Sequence, residues 1–525
     1  EKAEIAGVIL TSAKSTFFAG ADIDDLFKQT DAKLIFDMCE GLKAQLRRLE
    51  TLGKPVVAAL NGTALGGGLE IALACHYRIA LNNPKAQFGL PEVGLGLLPG
   101  GGGIIRLTRM IGLQPALPLL TEGKRLKVKE AVSNGIINEM AETPEDMIAK
   151  AKAWIKANPK AINPWDDKGF KFPGGDARNP KVAGMIPIVP AMTKKKTHGN
   201  YPAVEAIINT AVEGSVVDFE TACRIESRYF TSLAIGQVSK NMINTFWYNL
   251  NAINAGGSRP KGIEKYTTKK VGVLGAGMMG AGIAYVTALS GMEVVLKDVS
   301  MEAAEKGKSY SEGLLKKRVS KGKMTKEKME EVLNRIKATD KPAFEGCDLI
   351  IEAVFEDRTL KAKVTQEAET TMMPEGIFAS NTSTLPITGL ATASSRPKQF
   401  IGLHFFSPVD KMPLVEIICG SETDDATLAK AFDYVLQIKK TPIVVNDSRG
   451  FYTSRVFSTY VMEGIAMLGE GQHPHVIEMA GLKAGMPVGP LALTDEVSLK
   501  LMEHIRKQTE KDLQAEGKMV PFHPG

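Results

Sequence analysis

Cysteine is scarce in this chain: 525 residues carry five. Cys39, Cys75, Cys223, Cys347 and Cys419 show no C-x-x-C or zinc-ligand spacing, and five cannot all pair within one chain. That pattern points to structural thiols in a reduced compartment. His473 and His475 lack an acidic or cysteine partner at zinc spacing, so a surface loop is expected there and no metal site. No apolar run reaches the roughly 18 residues that a membrane helix needs, so no transmembrane segment is expected. The start shows no signal-peptide pattern. One-sided charge is also missing, with 65 Lys and Arg against 59 Asp and Glu, a net +6. The basic runs Lys194–Lys196 and Lys316–Arg318 are short and isolated. This argues against nucleic acid as a partner and remains compatible with a polyanionic small molecule. No short-period repeat is visible.

What is present is an ordinary globular composition, 44% hydrophobic and 24% charged, which rules out bulk disorder. The length suggests about three to four domains. Glycine is the surplus residue, at 51, without the period of collagen. It is concentrated locally: residues 62–103 hold eleven glycines and residues 272–291 hold six. These two stretches read as anion-cradling loops. At the start, residues 1–6 lead straight into the apolar run Gly7–Leu10, and Val520–Gly525 stops without a helix cap; both ends are expected to be cut.

Residues 1–160 alternate short apolar runs (Val8–Leu10, Val56–Leu60) with helical patterns (Ala32–Glu50, Leu69–Cys75, Thr143–Ala157), as an α/β domain would. Pro and Gly then accumulate up to about Tyr201, and residues 202–254 have helical periodicity, so 161–265 reads as a linker with helices. After Gly256–Pro260, strands are expected at 269–274, 293–297 and 348–352, with a long Lys/Glu-rich helical stretch at 301–337. Residues 266–447 are expected to form one α/β domain and 448–525 a helical one.

Gly275-Ala276-Gly277-Met278-Met279-Gly280 follows a strand and opens a helix, and Asp298 ends the next strand. With that context, GxGxxG is a specific sign of a dinucleotide site. Gly275 allows the tight turn, Gly277 lets the backbone approach the pyrophosphate, and Gly280 permits close helix–strand packing. The helix N-terminus offers N–H groups and positive dipole to the phosphates. Asp298 suits the ribose hydroxyls and disfavours a 2′-phosphate, so NAD is the expected cofactor despite the adjacent Lys297.

Downstream lie Asn381–Thr384, His404–Pro408 and Glu416. Oxidation of a secondary alcohol needs a base for the hydroxyl proton. Histidine suits that role near neutral pH, with a carboxylate on its other nitrogen to set the tautomer. A strand–turn–strand could bring His404 and Glu416 together, although a lone histidine in an apolar stretch is more often a packed core residue. In the first domain, Gly66–Gly68 open a helix with exposed N–H groups, a plausible oxyanion hole. Glu70 on that helix and Glu92 after a proline turn could hold one water between them, or could both be surface carboxylates.

Residues 269–525 resemble the L-3-hydroxyacyl-CoA dehydrogenase family through the motifs at Gly275–Gly280, Asn381–Thr384 and His404–Pro408 and the following Glu416. The resemblance implies that His404 is the base, Glu416 orients it, and Ser383 binds the substrate oxygen. It also places Glu356 and Lys361 against the ribose–nicotinamide side of the cofactor. In Gly450–Arg455 the family usually has Asn where this chain has Ser454, a shorter hydrogen-bond donor. Residues 1–160 are similar to the enoyl-CoA hydratase (crotonase) family through Phe17–Asp22, Asn61–Glu70, Phe88–Glu92 and Leu97–Gly103. That similarity implies that the N–H groups of Ala21 and Gly67 bind the thioester oxygen while Glu70 and Glu92 activate water.

The implied architecture is an α/β multidomain chain: a crotonase-like β-β-α superhelix lacking its N-terminal part, a Rossmann NAD-binding domain and an incomplete all-α C-terminal domain. The order resembles that of multifunctional fatty-acid β-oxidation enzymes. It implies acyl-CoA thioester substrates, a separate thiolase subunit as partner, and a cytoplasmic location in a bacterium or a peroxisomal one in a eukaryote. Two alternatives stand beside it. One is a CoA- and NAD-binding protein with an inactive hydratase half; the other is a hydroxyacid dehydrogenase acting on small acids without CoA.

Overall fold

The computed structural model describes residues 4–20, 22–497, 499–515 and 517. The chain divides into two compact units, the first running to Asn249 and the second starting at Leu250.

In the first unit, three β-β-helix repeats follow one another. The first repeat has β1 (Val8–Leu10) and β2 (Phe18–Ala19), then the helices Ile23–Lys28 and Ala32–Glu50. The second has β3 (Val56–Leu60), β4 (Ala64–Leu65) and the helix Gly67–Leu73. The third has β5 (Tyr77–Leu81), β6 (Phe88–Gly89), the 3-10 turn Glu92–Leu95 and the helix Gly103–Ile111. The first strands of the repeats, with β7 (Glu139–Ala141), build a parallel sheet in the order β1-β3-β5-β7. The second strands build another, β2-β4-β6. This is the superhelical arrangement that the resemblance implies. β3 is wholly buried, as its Val-Val-Ala-Ala-Leu run demands of a parallel strand covered on both faces. The helices Pro202–Gly214 and Phe219–Ala234 pack in this unit against Ala32–Glu50 and Gly103–Ile111.

The second unit centres on an eight-stranded sheet made of β8 (Lys270–Leu274), β9 (Glu293–Lys297), β10 (Ile336–Thr339), β11 (Leu349–Glu352), β12 (Ile377–Ser380), β13 (Phe400–Phe405), β14 (Leu414–Cys419) and β15 (Thr441–Val445). Its order is β10-β9-β8-β11-β12-β13-β14-β15, parallel except for the β13–β14 pair. The strand order reverses between β8 and β11, the switch point where doubly wound sheets bind ligands at their strand ends. One expectation needs correction. Residues 301–337 are not all helical: the helices Met301–Ser320 and Lys326–Asn334 are followed by β10, which pairs in parallel with β9. β10 is a four-residue edge strand, Ile-Lys-Ala-Thr, too short for its alternation to stand out from the Lys-rich helix before it. Beyond Arg449 the described residues form helices, among them Thr453–Gly469 and Pro474–Lys483. Among the described residues no helix is long and apolar enough to cross a membrane.

Candidate active sites

The first site is built on the helix Gly67–Leu73. Gly66 precedes it with φ of +55°, and a Cβ there would stand 3.1 Å from Oε1 of Glu92. Gly68 is forced by space, because a Cβ would come within 2.1 Å of the Phe18 carbonyl oxygen. Gly67 is the first helical residue, where an N–H has no acceptor within the helix. The other expected oxyanion residue, Ala21, lies outside the described residues.

Glu70 is 4% exposed, and its Oε1 accepts hydrogen bonds from Gly101 N–H (2.7 Å) and Gly103 N–H (2.8 Å). Burial, with the charge of Glu226 adding to it, pushes its carboxyl up to about 7. Glu92 is raised well above the ordinary carboxylate range, by burial first and by the Glu70 charge second. Its Oε2 is inaccessible and has no hydrogen-bond partner among the described residues.

The second glycine run of this unit has a different task from the one its composition suggests. Gly101 and Gly103 are required because a Cβ at either would lie 2.9 or 2.8 Å from an oxygen of Glu70. Their N–H groups cradle the protein's own carboxylate. Behind them, Arg106 is fully buried, pairs with Glu50 (Nε to Oε1, 2.7 Å) and donates to the Gly101 carbonyl (2.8 Å). Sequence reasoning missed this support, as it missed Glu226 and Lys43. Glu226 is wholly buried 3.0 Å from the Lys43 ammonium. Nothing near Glu226 in the chain marks it, because its partners lie more than 120 residues away.

The second unit holds the other site. The antiparallel register of β13 and β14 sets His404 opposite Glu416, and Nδ1 of the histidine lies 2.7 Å from Oε2 of the glutamate. Glu416 is fully buried at the N-terminus of the helix Thr453–Gly469. Its Oε1 accepts from Tyr452 N–H (3.1 Å) and Thr453 N–H (2.9 Å), and its Oε2 accepts from the Thr453 hydroxyl (2.7 Å). Burial works to raise its carboxyl, but the hydrogen bonds from His404 and Thr453 outweigh it and hold the group below its ordinary value. A carboxylate facing Nδ1 fixes the proton there and leaves Nε2 as the basic nitrogen. The rings of Phe406 and Phe451 flank the imidazole, with centroids at 4.5 and 6.1 Å.

Ser383 and Ser454 meet: the Ser454 hydroxyl donates to the Ser383 carbonyl at 3.3 Å. Glu356 gathers this loop. Its Oε1 accepts from the Thr382 hydroxyl (2.5 Å) and from Ser383 N–H (3.1 Å), and its Oε2 lies 3.1 Å from the Lys361 ammonium. Lys361 is 2% exposed and also bonds both oxygens of Glu352, at 2.8 and 3.0 Å. Its ammonium is therefore spent on carboxylates inside the fold, and Glu352 is a further partner that sequence reasoning missed.

At the dinucleotide loop, Gly275 has φ of +90°, and a Cβ on Gly280 would stand 1.8 Å from the Gly275 carbonyl oxygen. A Cβ on Gly277 would meet nothing, so the loop opens there onto free space outside the N-terminus of the helix Met278–Leu289. Asp298 accepts from Ala276 N–H (2.6 Å) and is held at the edge of that space. Lys297 is turned away, 3.5 Å from Glu367. The loop, the free space beside it and the acid together fit a dinucleotide with an unmodified ribose.

Three family models match separate parts of the chain. Residues 1–164 match enoyl-CoA hydratase/isomerase, residues 270–448 match the 3-hydroxyacyl-CoA dehydrogenase NAD binding domain, and residues 450–522 match the 3-hydroxyacyl-CoA dehydrogenase C-terminal domain. A fatty acid oxidation complex subunit alpha from Idiomarina loihiensis is 38% identical over 519 residues, which is 97% of this chain and 72% of that protein. Among solved structures, (S)-3-hydroxybutyryl-CoA dehydrogenase from Ralstonia eutropha is 36% identical over 47% of this chain and 89% of its own, with a TM-score of 0.45. The 3-hydroxybutyryl-CoA dehydrogenase from Escherichia coli K12 is 33% identical over 47% of this chain and 53% of its own, also with a TM-score of 0.45.

Proposed function

The chain belongs to the family of fatty acid oxidation complex α subunits, and from that premise we propose that its two sites act in sequence on one acyl-CoA thioester. In the first step a trans-2-enoyl-CoA is hydrated to an L-3-hydroxyacyl-CoA. The N–H groups of Ala21 and Gly67 take the charge that develops on the thioester oxygen. Glu70 and Glu92 hold the attacking water, one removing its proton and the other returning a proton to C2. In the second step the product is oxidised to a 3-ketoacyl-CoA. His404 takes the hydroxyl proton at Nε2, Glu416 stabilises the imidazolium, and Ser383 and Ser454 hold the substrate oxygen. Gly275, Gly277, Gly280, Asp298 and Glu356 would hold NAD, with Lys361 acting through Glu356. NAD, when bound, supplies the hydride acceptor.

The observation that carries this reading is that one chain holds both two glutamates that oppose each other's ionisation and a hydrogen-bonded His–Glu pair, the requirements of two consecutive reactions. A separate subunit with thiolase activity would consume the 3-ketoacyl-CoA, and a bacterial cytoplasm is the compartment that fits. The test uses crotonyl-CoA and NAD together. The parent protein should lose enoyl absorbance and form NADH. Glu70→Gln should stop both from crotonyl-CoA yet still form NADH from L-3-hydroxybutyryl-CoA. His404→Gln should hydrate normally and form no NADH. A Glu70→Gln or Glu92→Gln protein that hydrates at the parental rate would sink the two-carboxylate mechanism.

A further inference from the structure

Four successive amides at the head of the helix Gly103–Ile111 alternate between two carboxylates. Gly101 and Gly103 donate to Glu70, at 2.7 and 2.8 Å. Gly102 donates to Oε1 of Glu226 at 2.6 Å, and Ile104 donates to its Oε2 at 3.1 Å, with Ile105 N–H 3.4 Å from the same oxygen. The two glutamates thus grip one strip of backbone from its two sides. Glu226 is fully buried on the helix Phe219–Ala234, outside the residues that match enoyl-CoA hydratase/isomerase. Lys43, 5% exposed, anchors it and also donates to the Cys223 carbonyl (2.6 Å) and the Ser227 hydroxyl (2.7 Å).

We propose that Glu226 is a positioning residue of the hydration site, holding the Gly102 and Ile104 amides so that the interleaved Gly101 and Gly103 amides lock the Glu70 carboxylate in place. The inference rests on the catalytic reading of Glu70 given above. Glu226 acts through the strip and never touches the substrate. It also acts through its charge. A second carboxylate behind the same amides opposes the ionisation of Glu70, so removing that charge lets Glu70 ionise at lower pH. The titratable and charged groups around Glu70 come from several elements. They are Cys39, Glu40 and Lys43 on the helix Ala32–Glu50, Glu92 on its turn, Arg106 with its partner Glu50, and Cys223 and Glu226. Burial pushes the thiols of Cys39 and Cys223 up to about 12, so they stay neutral across the working range and leave the charge balance to the carboxylates and Lys43.

The experiment follows crotonyl-CoA hydration against pH in the full chain, with NADH formation from L-3-hydroxybutyryl-CoA as the control for intact protein. Glu226→Gln should lower kcat with little change in KM and move the acid limb of the profile down by about one unit. Glu226→Asp keeps the charge and shortens the reach, so its limb should return to the parental position while kcat stays reduced. A rate loss in Glu226→Gln with the limb unmoved assigns Glu226 a merely structural part and overturns the proposal, as does a parental rate. If Glu226→Gln does not fold, Glu226→Asp decides alone, and a parental kcat overturns the proposal. Glu70→Gln separates the two readings: parental hydration in that variant sinks the role of Glu70 itself. Lost hydration beside an unmoved Glu226→Gln limb sinks only the role of Glu226.

Discussion

Glu70 in the first unit and Glu416 in the second are both buried, and each accepts two backbone N–H bonds, yet their proton affinities are displaced in opposite directions. Burial raises both, and the amides lower both. What separates them is the nearest charged or polar side chain. Glu70 has Glu226 across a shared strip of amides and is pushed up to about 7, while Glu416 has His404 and the Thr453 hydroxyl and lies below its ordinary value. The difference matches the chemistry asked of each. A carboxyl that must both give and take a proton works best near neutral pH, and one that must stabilise an imidazolium must stay ionised.

The largest effect should come from breaking the second half of that comparison. Glu416→Gln removes the charge behind His404 and frees the wrong tautomer, so NADH formation should fall on the order of 10²-fold or more, with crotonyl-CoA hydration unchanged. Stability against pH sharpens the contrast. The folded-state value of Glu70 is raised, so its ionisation opposes folding. Relative to Glu70→Gln, the parent should lose on the order of 3 kcal/mol as pH rises from about 4.5 to about 7, with no further loss above that. Glu416 has the opposite sign: its contribution is present above the ordinary carboxylate value and is lost as pH falls through its depressed folded value. The stability gap between the parent and Glu416→Gln should therefore close in acid. Denaturant titrations at a series of pH values read both slopes.

The glycine loops extend the comparison. In the first unit the amides of Gly101 and Gly103 are filled by a protein carboxylate; in the second, Gly277 faces free space. Gly103→Ala puts a methyl 2.8 Å from Oε1 of Glu70, so it should cost about 1–3 kcal/mol of stability and depress hydration. Gly277→Ala should leave the melting temperature unchanged and raise KM for NAD. Equal loss of stability in the two variants would erase the distinction between a loop that serves the protein and one kept for a ligand. Ser454→Ala should have the smallest effect. Its single bond to the Ser383 carbonyl is long, so about 1 kcal/mol or less is at stake in kcat/KM for the hydroxyacyl thioester.

Local patterns made much of the molecule legible. GxGxxG is readable because its three glycines answer to the backbone within a few residues, and the 1.8 Å approach at Gly280 is to Gly275 of the same motif. The wholly apolar β3 and the amphipathic helix Ala32–Glu50 announce themselves by period. His404 and Glu416 could be suspected as a pair because only one strand turn separates them. β10 was hidden because four alternating residues carry too little signal beside a Lys-rich helix.

By itself, then, the sequence determined the dinucleotide turn, the two glycine-rich loops and the kinds of side chain present for proton transfer. Only the tertiary structure decided which charge each of those side chains meets. Glu226 reaches Gly102 across 124 residues and Lys43 reaches Ser227 across 184. Lys361 is turned onto Glu352 and Glu356, and the start of the helix Thr453–Gly469 closes over Glu416. Proton affinity in a buried site depends on distances of a few ångströms between groups with no fixed separation along the chain. Motifs can therefore name the acids and bases, while packing sets the pH at which they work.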